Sequence, residues 1–221
     1  DETIRLPGFY DKVRPPSERD LQLFELMPET ADEYRSRYGI KEFLKGMSGG
    51  VELRVAESML PTCTICGLTS GYQGPGSKTV LPARASAKVD FRLVPDQTPE
   101  EVLQQLRQHL DDHGFSDVQI TYLGGEAPAR TDPDHPFVQL VVKSAADVYG
   151  QPMQIIPMSG GSGPNHLFIE TLHVPIVTAG IGYPGSQAHA PNENIRLDLY
   201  LKGVKHIARI LMLYGQETSV S

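Results

Sequence analysis

The chain has no tryptophan, only two cysteines and a surplus of acid over base. Each of these narrows what it can be. Two cysteines cannot build a disulfide-stapled scaffold. Lys plus Arg total 20 against 27 Asp plus Glu, a net charge of −7 with no long basic run, which excludes nucleic acid as a partner. No apolar stretch approaches the ~20 residues needed to span a bilayer. The opening Asp1-Glu2-Thr3-Ile4-Arg5 is not a signal sequence. An initiator methionine is also missing, which points to a processed product or a piece of a longer chain. Few cysteines and no export signal together point to the cytoplasm. What is present, 39% hydrophobic and 21% charged residues in 221, is the composition of a soluble globular protein with a real core.

The cysteines, Cys63 and Cys66, are spaced C-x-x-C. A structural zinc site needs four ligands, usually from two such knuckles, and there is no second knuckle. A thioredoxin-like pair would open a helix, whereas Thr62 to Cys66 reads as a strand, where positions at this spacing face opposite sides. Both are read as reduced, structural cysteines.

Residues 1 to about 50 read as an elaborate loop with short helices. Ser17 with Asp20 resembles a capping pair ahead of Leu21, Leu23, Phe24 and Leu26, and Pro28 stops that helix. Val51 to Met59 reads as another short helix. From Pro61 the pattern turns to β: Thr62 to Leu68 and Lys78 to Val94 flank a Gly-rich turn at 71–76. In the second run Ala85, Ala87, Val89, Phe91 and Leu93 alternate with Ser86, Lys88, Asp90 and Arg92, a half-buried antiparallel strand with Arg92 toward solvent. Thr98, Pro99 and Glu101 form a capped helix start, Val102, Leu103, Leu106 and Leu110 its apolar stripe, and Gly114 its end. A strand over 118–122 follows. Strand, strand, helix, strand supplies four of the six elements of a ferredoxin-like α+β sandwich whose first strand and helix are missing.

After Gly124-Gly125 the layering becomes α/β. A helix follows His135-Pro136 and ends at Gly150. Strands are expected at 154–157 and 175–179, on either side of a Gly-rich loop at 159–164. A last helix carries Leu197, Leu201, Val204, Ala208 and Leu211 at helical spacing. The domain boundary is therefore placed near residue 127, giving 1–126 and 127–221.

Several residues could carry chemistry, each beside a plainer role. His189 lies in the polar turn Ser186-Gln187-Ala188-His189-Ala190-Pro191-Asn192-Glu193, between a strand-like run and a helix. A neutral imidazole held there can bind a metal, or be ordinary loop surface. The loop Ser159-Gly160-Gly161-Ser162-Gly163-Pro164 lacks the Gly-Lys-Ser/Thr ending of a phosphate loop. Pro164 also breaks the G-x-S-x-G nucleophile elbow. It remains either a tight turn or a cradle in which backbone amides and the Ser162 hydroxyl take a carboxylate. Arg92 can be a solvated strand arginine, and His135 a helix cap. His109, His113, His166 and His206 receive no role.

Lys78-Thr79-Val80-Leu81-Pro82-Ala83, Phe91-Arg92-Leu93-Val94-Pro95, the Gly-Gly-Ser loop and Ala188-His189-Ala190-Pro191-Asn192-Glu193 occur in one order and spacing. In this the chain resembles the two-zinc metallopeptidase family of carnosinases, cytosolic dipeptidases, succinyl-diaminopimelate desuccinylases, acetylornithine deacetylases and glutamate carboxypeptidases. Leu6-Pro7-Gly8-Phe9-Tyr10-Asp11 and the phrase at 70–79 resemble the dipeptidase branch. The resemblance implies a catalytic domain interrupted by a lid that also dimerises. Residues 1–126 would be a partial lid, and 127–221 the C-terminal α/β part of the catalytic domain. It implies two zinc (or manganese or cobalt) ions in the complete enzyme, with His189 as the last metal ligand. Arg92, Thr79, Ser162 and His135 match residues that reach substrate, a dipeptide or N-acyl amino acid with a free carboxylate.

The family's other metal ligands and its proton-shuttling glutamate have no counterpart here. No H-x-D occurs in a matching context, and Glu100-Glu101 is a helix start. Ser159 stands where some dipeptidases carry Glu. One ligand does not make a two-metal site, so the expectation is a fragment of a hydrolase, itself inactive and not stably metallated. Its alternative is a non-catalytic lid and dimerisation module. A serine hydrolase built on Ser162 and His189 is a distant third.

Overall fold

The computed structural model describes residues 3–218. Asp1 and Glu2, on which the reading of the chain start partly rests, lie outside the described residues. The elements are α1 (Glu18–Glu25), α2 (Ala31–Tyr38), α3 (Gly50–Ser58), β1 (Thr62–Ser70), β2 (Ala85–Arg92), α4 (Pro99–Asp112), α5 (Pro136–Tyr149), α6 (Asn165–Leu172) and α7 (Leu197–Thr218), with short 3₁₀ turns at Leu44–Gly46 and Pro184–Ser186. The fold is mixed α and β. The chain forms two compact units: Asp1–Ser17, Glu29–Pro128 and Met158–Pro164 make one, and Glu18–Pro28, Ala129–Pro157 and Asn165–Ser221 the other.

In the first unit, one carboxylate organises two helix starts. Glu29 accepts hydrogen bonds from the backbone of Thr30 (2.8 Å), Ala31 (2.7 Å) and Gly50 (2.7 Å). These are orphan donors at the openings of α2 and α3. The bonds, that from Ala31 foremost, hold the Glu29 carboxyl below the usual carboxylate range. Gly49 beside it has φ 146°, and a Cβ there would come within 2.9 Å of the Ala31 methyl, so only glycine fits.

β1 and β2 pair antiparallel from Thr62↔Arg92 to Ser70↔Ala85, with a bulge between Ile65 and Gly67. The bulge has a sequence reason. Ile65 and Leu68 are three apart and would face opposite sides of a regular strand, but one extra residue brings both to the face that carries Val89 and Ala87. It also interrupts the regular alternation assumed between Cys63 and Cys66. Both cysteines are free, in keeping with the reduced reading, but both residues are exposed, so neither is a core packing residue. Partial desolvation of the Cys63 sulfur by its strand neighbours, then the neighbouring Cys66, pushes that thiol up although the residue as a whole is exposed. The ladder is also less buried than its alternation implies. Ile65 and Leu68 are exposed, and only Phe91 at the far end, with Leu93 just beyond, packs on the core of Leu6, Phe9 and Val102. The second strand starts at Ala85 rather than Lys78.

α4 begins as its sequence dictates. Thr98 Oγ1 accepts from Glu101 N at 3.3 Å, and Pro99 takes the first turn. Glu101 is drawn below its ordinary pKa chiefly by an ion pair with Lys12. Val102 and Leu106 face the core.

In the second unit, Asp20, read in sequence as half of a capping pair, is completely buried and ion-paired with Arg130. α5 and α7 pack through Leu140, Val141 and Leu213, with Phe137, Ile210 and Val177 alongside. His206 sits in this contact, its Nε2 2.9 Å from Ser144 Oγ. α5 ends at Gly150, φ 71°, as its sequence requires.

Three expected strands carry no ladder. Residues 118–122, 154–157 and 175–179 are unpaired among the described residues. A period-two pattern reports a local preference, and a strand exists only where a partner strand meets its backbone.

Candidate functional site

Residues 70 positions apart in sequence meet in the first unit. Arg92, the last residue of β2, donates from Nη1 to Ser162 Oγ at 2.5 Å. Two local devices prepare this contact. Asp90, two residues back on the same face of the strand, accepts from Arg92 Nε at 2.9 Å and fixes the guanidinium at its root. On the other side, the 159–164 loop lies against the end of α3. A Cβ at Gly160 would stand 2.7 Å from the Glu57 carbonyl oxygen, so the approach demands glycine. Ser159 Oγ takes Gly161 N at 3.3 Å and tightens the turn. Asp90 escaped the sequence reading. Its signal was there, since an acid two residues from an arginine on a strand shares its face.

Arg92 keeps Nη2 without a protein partner among the described residues and is half exposed. The site therefore offers a guanidinium edge, a hydroxyl and a glycine-rich backbone turn in one place. That is a donor set suited to an anion with two oxygens.

Thr79 does not join them. It lies, exposed, in the connection between Ser70 and Ala85, and that end of the ladder is opposite Arg92. Seven residue steps of strand separate the ends, about 23 Å.

The two histidines lie in the second unit. His135 is the N-cap of α5, where its Nδ1 accepts from Phe137 N at 3.1 Å. An Nδ1 that accepts carries no proton in the neutral ring, so the N–H is at Nε2. The capping role that its sequence allowed is thus realised, and the ring's other nitrogen remains a donor.

His189 sits in an exposed turn of unusual backbone. Gln187 (φ 51°), His189 (φ 62°) and Asn192 (φ 64°) are all left-handed without being glycine, a conformation that persists only where the surroundings impose it. Asn194 is the clasp. Its backbone N–H donates to Ser186 O (3.0 Å), and its side-chain amide donates to Asn192 O (2.9 Å) and Gly185 O (3.2 Å). The Tyr183 hydroxyl donates to Asn194 Oδ1. The turn presents one imidazole, and no group of three His, Cys, Asp or Glu side chains able to hold a metal occurs among the described residues. No helix among the described residues is long and apolar enough to cross a membrane.

Comparison with known proteins gives the family of the chain. The model of peptidase family M20/M25/M40 matches residues 25–213, and the chain belongs to that family. It is similar to the Beta-Ala-His dipeptidase of Homo sapiens, 24% identical over 96% of this chain and 43% of that protein. It is similar too to the Cys-Gly metallodipeptidase DUG1 of Saccharomyces cerevisiae, 24% identical over 96% of this chain and 45% of that protein. Among solved structures, an M20 family metallo-carboxypeptidase from Sulfolobus solfataricus superposes with a TM-score of 0.88. It is 39% identical, over 96% of this chain and 48% of its own. The chain thus spans somewhat less than half the length of these relatives.

Proposed function

We propose that the chain is the C-terminal portion of a metal-dependent dipeptidase-like hydrolase. Its substrate is a dipeptide or N-acyl amino acid, whose amide bond is cleaved and whose free carboxylate is held by Arg92 and Ser162. The observation that carries this reading is the Arg92–Ser162 hydrogen bond, formed across 70 residues in a chain whose family members include dipeptidases. Residues 1–126 serve as a partial lid and 127–221 as catalytic-domain sequence, in a cytoplasmic homodimer paired through the lid.

The residues act by binding and orientation. Asp90 holds Arg92 so that its outer edge points at the carboxylate oxygens, and Ser162 Oγ turns its own proton toward the same anion. His135, whose Nδ1 caps α5, turns its Nε2–H to an oxygen that gains charge. Thr79 reaches substrate only if the 71–84 connection folds over it. His189 fits a metal as one ligand, held by a strained turn. The described residues do not complete a site, so the remaining ligands come from family sequence outside this match. Two zinc, manganese or cobalt ions would there lower the pKa of a bound water and polarise the scissile carbonyl.

One observation favours a second reading, a lid module without chemistry of its own. The bulged apolar face of Ile65, Leu68 and Val89 is uncovered, as a pairing surface would be.

The test is metal content and dipeptide hydrolysis, measured together on the purified protein that carries this segment. About two metal ions per subunit and cleavage of a free-carboxylate dipeptide are expected. His189→Ala should abolish the cleavage and lower the metal content. Arg92→Ala should reduce kcat/KM by about a hundredfold while metal stays bound. Unchanged cleavage in His189→Ala overturns the ligand assignment.

A further inference from the structure

We infer that the H-x-x-x-H pair at the end of α4, His109 with His113, is a chelating site for one exchangeable divalent transition-metal ion of the zinc, nickel and copper class. Both residues belong to the first unit, and the inference does not depend on the hydrolase reading or on His189.

Four positions along a helix bring two side chains onto one face, the spacing at which paired histidines hold zinc. In α4 the two rings do meet, with centroids 4.2 Å apart and planes at 45°. Two imidazoles bound at right angles to one ion, through bonds of about 2.1 Å, have centroids about 4.5 Å apart. The pair is therefore within a few tenths of an ångström of a chelating separation.

His113 is also set in the right form. Its Nδ1 lies 2.7 Å from the His109 carbonyl oxygen. A carbonyl only accepts, so in the neutral ring Nδ1 carries the proton and Nε2 keeps its lone pair. A backbone carbonyl on the far nitrogen is the usual support of a metal-binding histidine, because it fixes both tautomer and ring direction. His109 contributes an unmet acceptor, since its Nδ1 is buried and takes no hydrogen bond among the described residues. A hydrogen-bond donor would satisfy that atom alone. Only an ion also uses the lone pair that His113 presents one turn further on.

The surroundings favour positive charge. His113 is the C-cap of α4, at the negative end of the helix, and Asp112 stands beside it. Arg107, on the preceding turn, is neutralised by Asp111 at 2.7 Å. No third His, Cys, Asp or Glu joins the pair among the described residues. Water completes the coordination, and the ion stays exchangeable. Imidazole nitrogens select zinc, nickel or copper over magnesium and calcium, which take oxygen. The bound ion ties His109 to the cap and holds the last turn of α4 ahead of Gly114.

The experiment is a zinc titration of this chain followed by NMR of the imidazole nitrogens. It is run in the Cys63→Ser, Cys66→Ser background, so that thiols do not compete. The His109 and His113 rings should shift together at one zinc concentration, His113 through Nε2. His113→Ala should raise the zinc needed for half of the His109 shift by about tenfold or more, with helical circular dichroism unchanged. An unchanged requirement overturns the inference, since a single imidazole then binds the ion. Should that variant fail to fold, the unsubstituted pair decides. A shift of one ring without the other, a His113 shift through Nδ1, or no shift at millimolar zinc each overturns the site.

Discussion

In α4 the apolar stripe is spent on the chain's own core: Val102 is 5% exposed and packs with Leu6 and Phe9. In α7 an equally regular stripe from Leu197 to Leu211 faces outward, while Leu213, two residues on, is buried against α5. Helical spacing is the same in both. It states that a face is apolar, which implies a cover, and it carries no information about which layer provides the cover. α4 has its sheet and the Leu6–Phe9 turn within the chain. α7 has α5 on one side only.

The contrast can be broken by substitution. The largest effect is expected at Phe9, buried at 2% exposure in the first core. Phe9→Ala should cost about 3–5 kcal/mol, through lost burial and the cavity left behind, as read from the urea midpoint. Thr98→Ala removes the α4 cap and should cost about 1 kcal/mol in the same assay. Leu211→Ala should change the midpoint by less than about 0.5 kcal/mol, because its side chain is already in water. A loss at Leu211 matching that at Phe9 would mean that the outer face of α7 is covered within this chain.

Acid sharpens the same comparison from the polar side. Glu29 is held low by the Ala31, Thr30 and Gly50 amides, Asp96 by Arg14 and Glu101 by Lys12, all in the first unit. A carboxyl whose folded pKa lies below its unfolded value stabilises the fold above the ordinary range near pH ~4. That contribution disappears as pH falls through the depressed folded values. Thermal midpoints should therefore hold from pH 7 to 5 and drop below about 4. Glu29→Gln should make the drop shallower. A midpoint that rises on acidification would contradict the assignment.

Local chemistry was legible in the residues. The Thr98-Pro99-Glu101 start, the Gly114 and Gly150 stops and the helix over Val51 to Met59 needed only short-range bonds and backbone preferences. The antiparallel pairing of the two β runs was legible too. Less so was anything set by distant partners. Asp20 lies in the first turn of α1, where its sequence put it, but its ion pair with Arg130, 110 positions away, is a relation no local pattern states. Glu29 attracted no notice, yet it ties together the openings of α2 and α3. Of the candidate site, Arg92 and Ser162 were named from sequence. Their contact, and Asp90's hold on the guanidinium, are visible only once β2 and the 159–164 loop are side by side.

By itself the sequence determined the helices, their caps and stops, the turn that strains His189 and the motifs that mark a family. These follow from interactions spanning a few residues and survive in any context. Tertiary structure alone decided that Arg92 meets Ser162, that Cys66 is a bulge and that 154–157 and 175–179 remain unpaired. Burial and ladder hydrogen bonds are relations between distant segments, and no local pattern states which segments will meet.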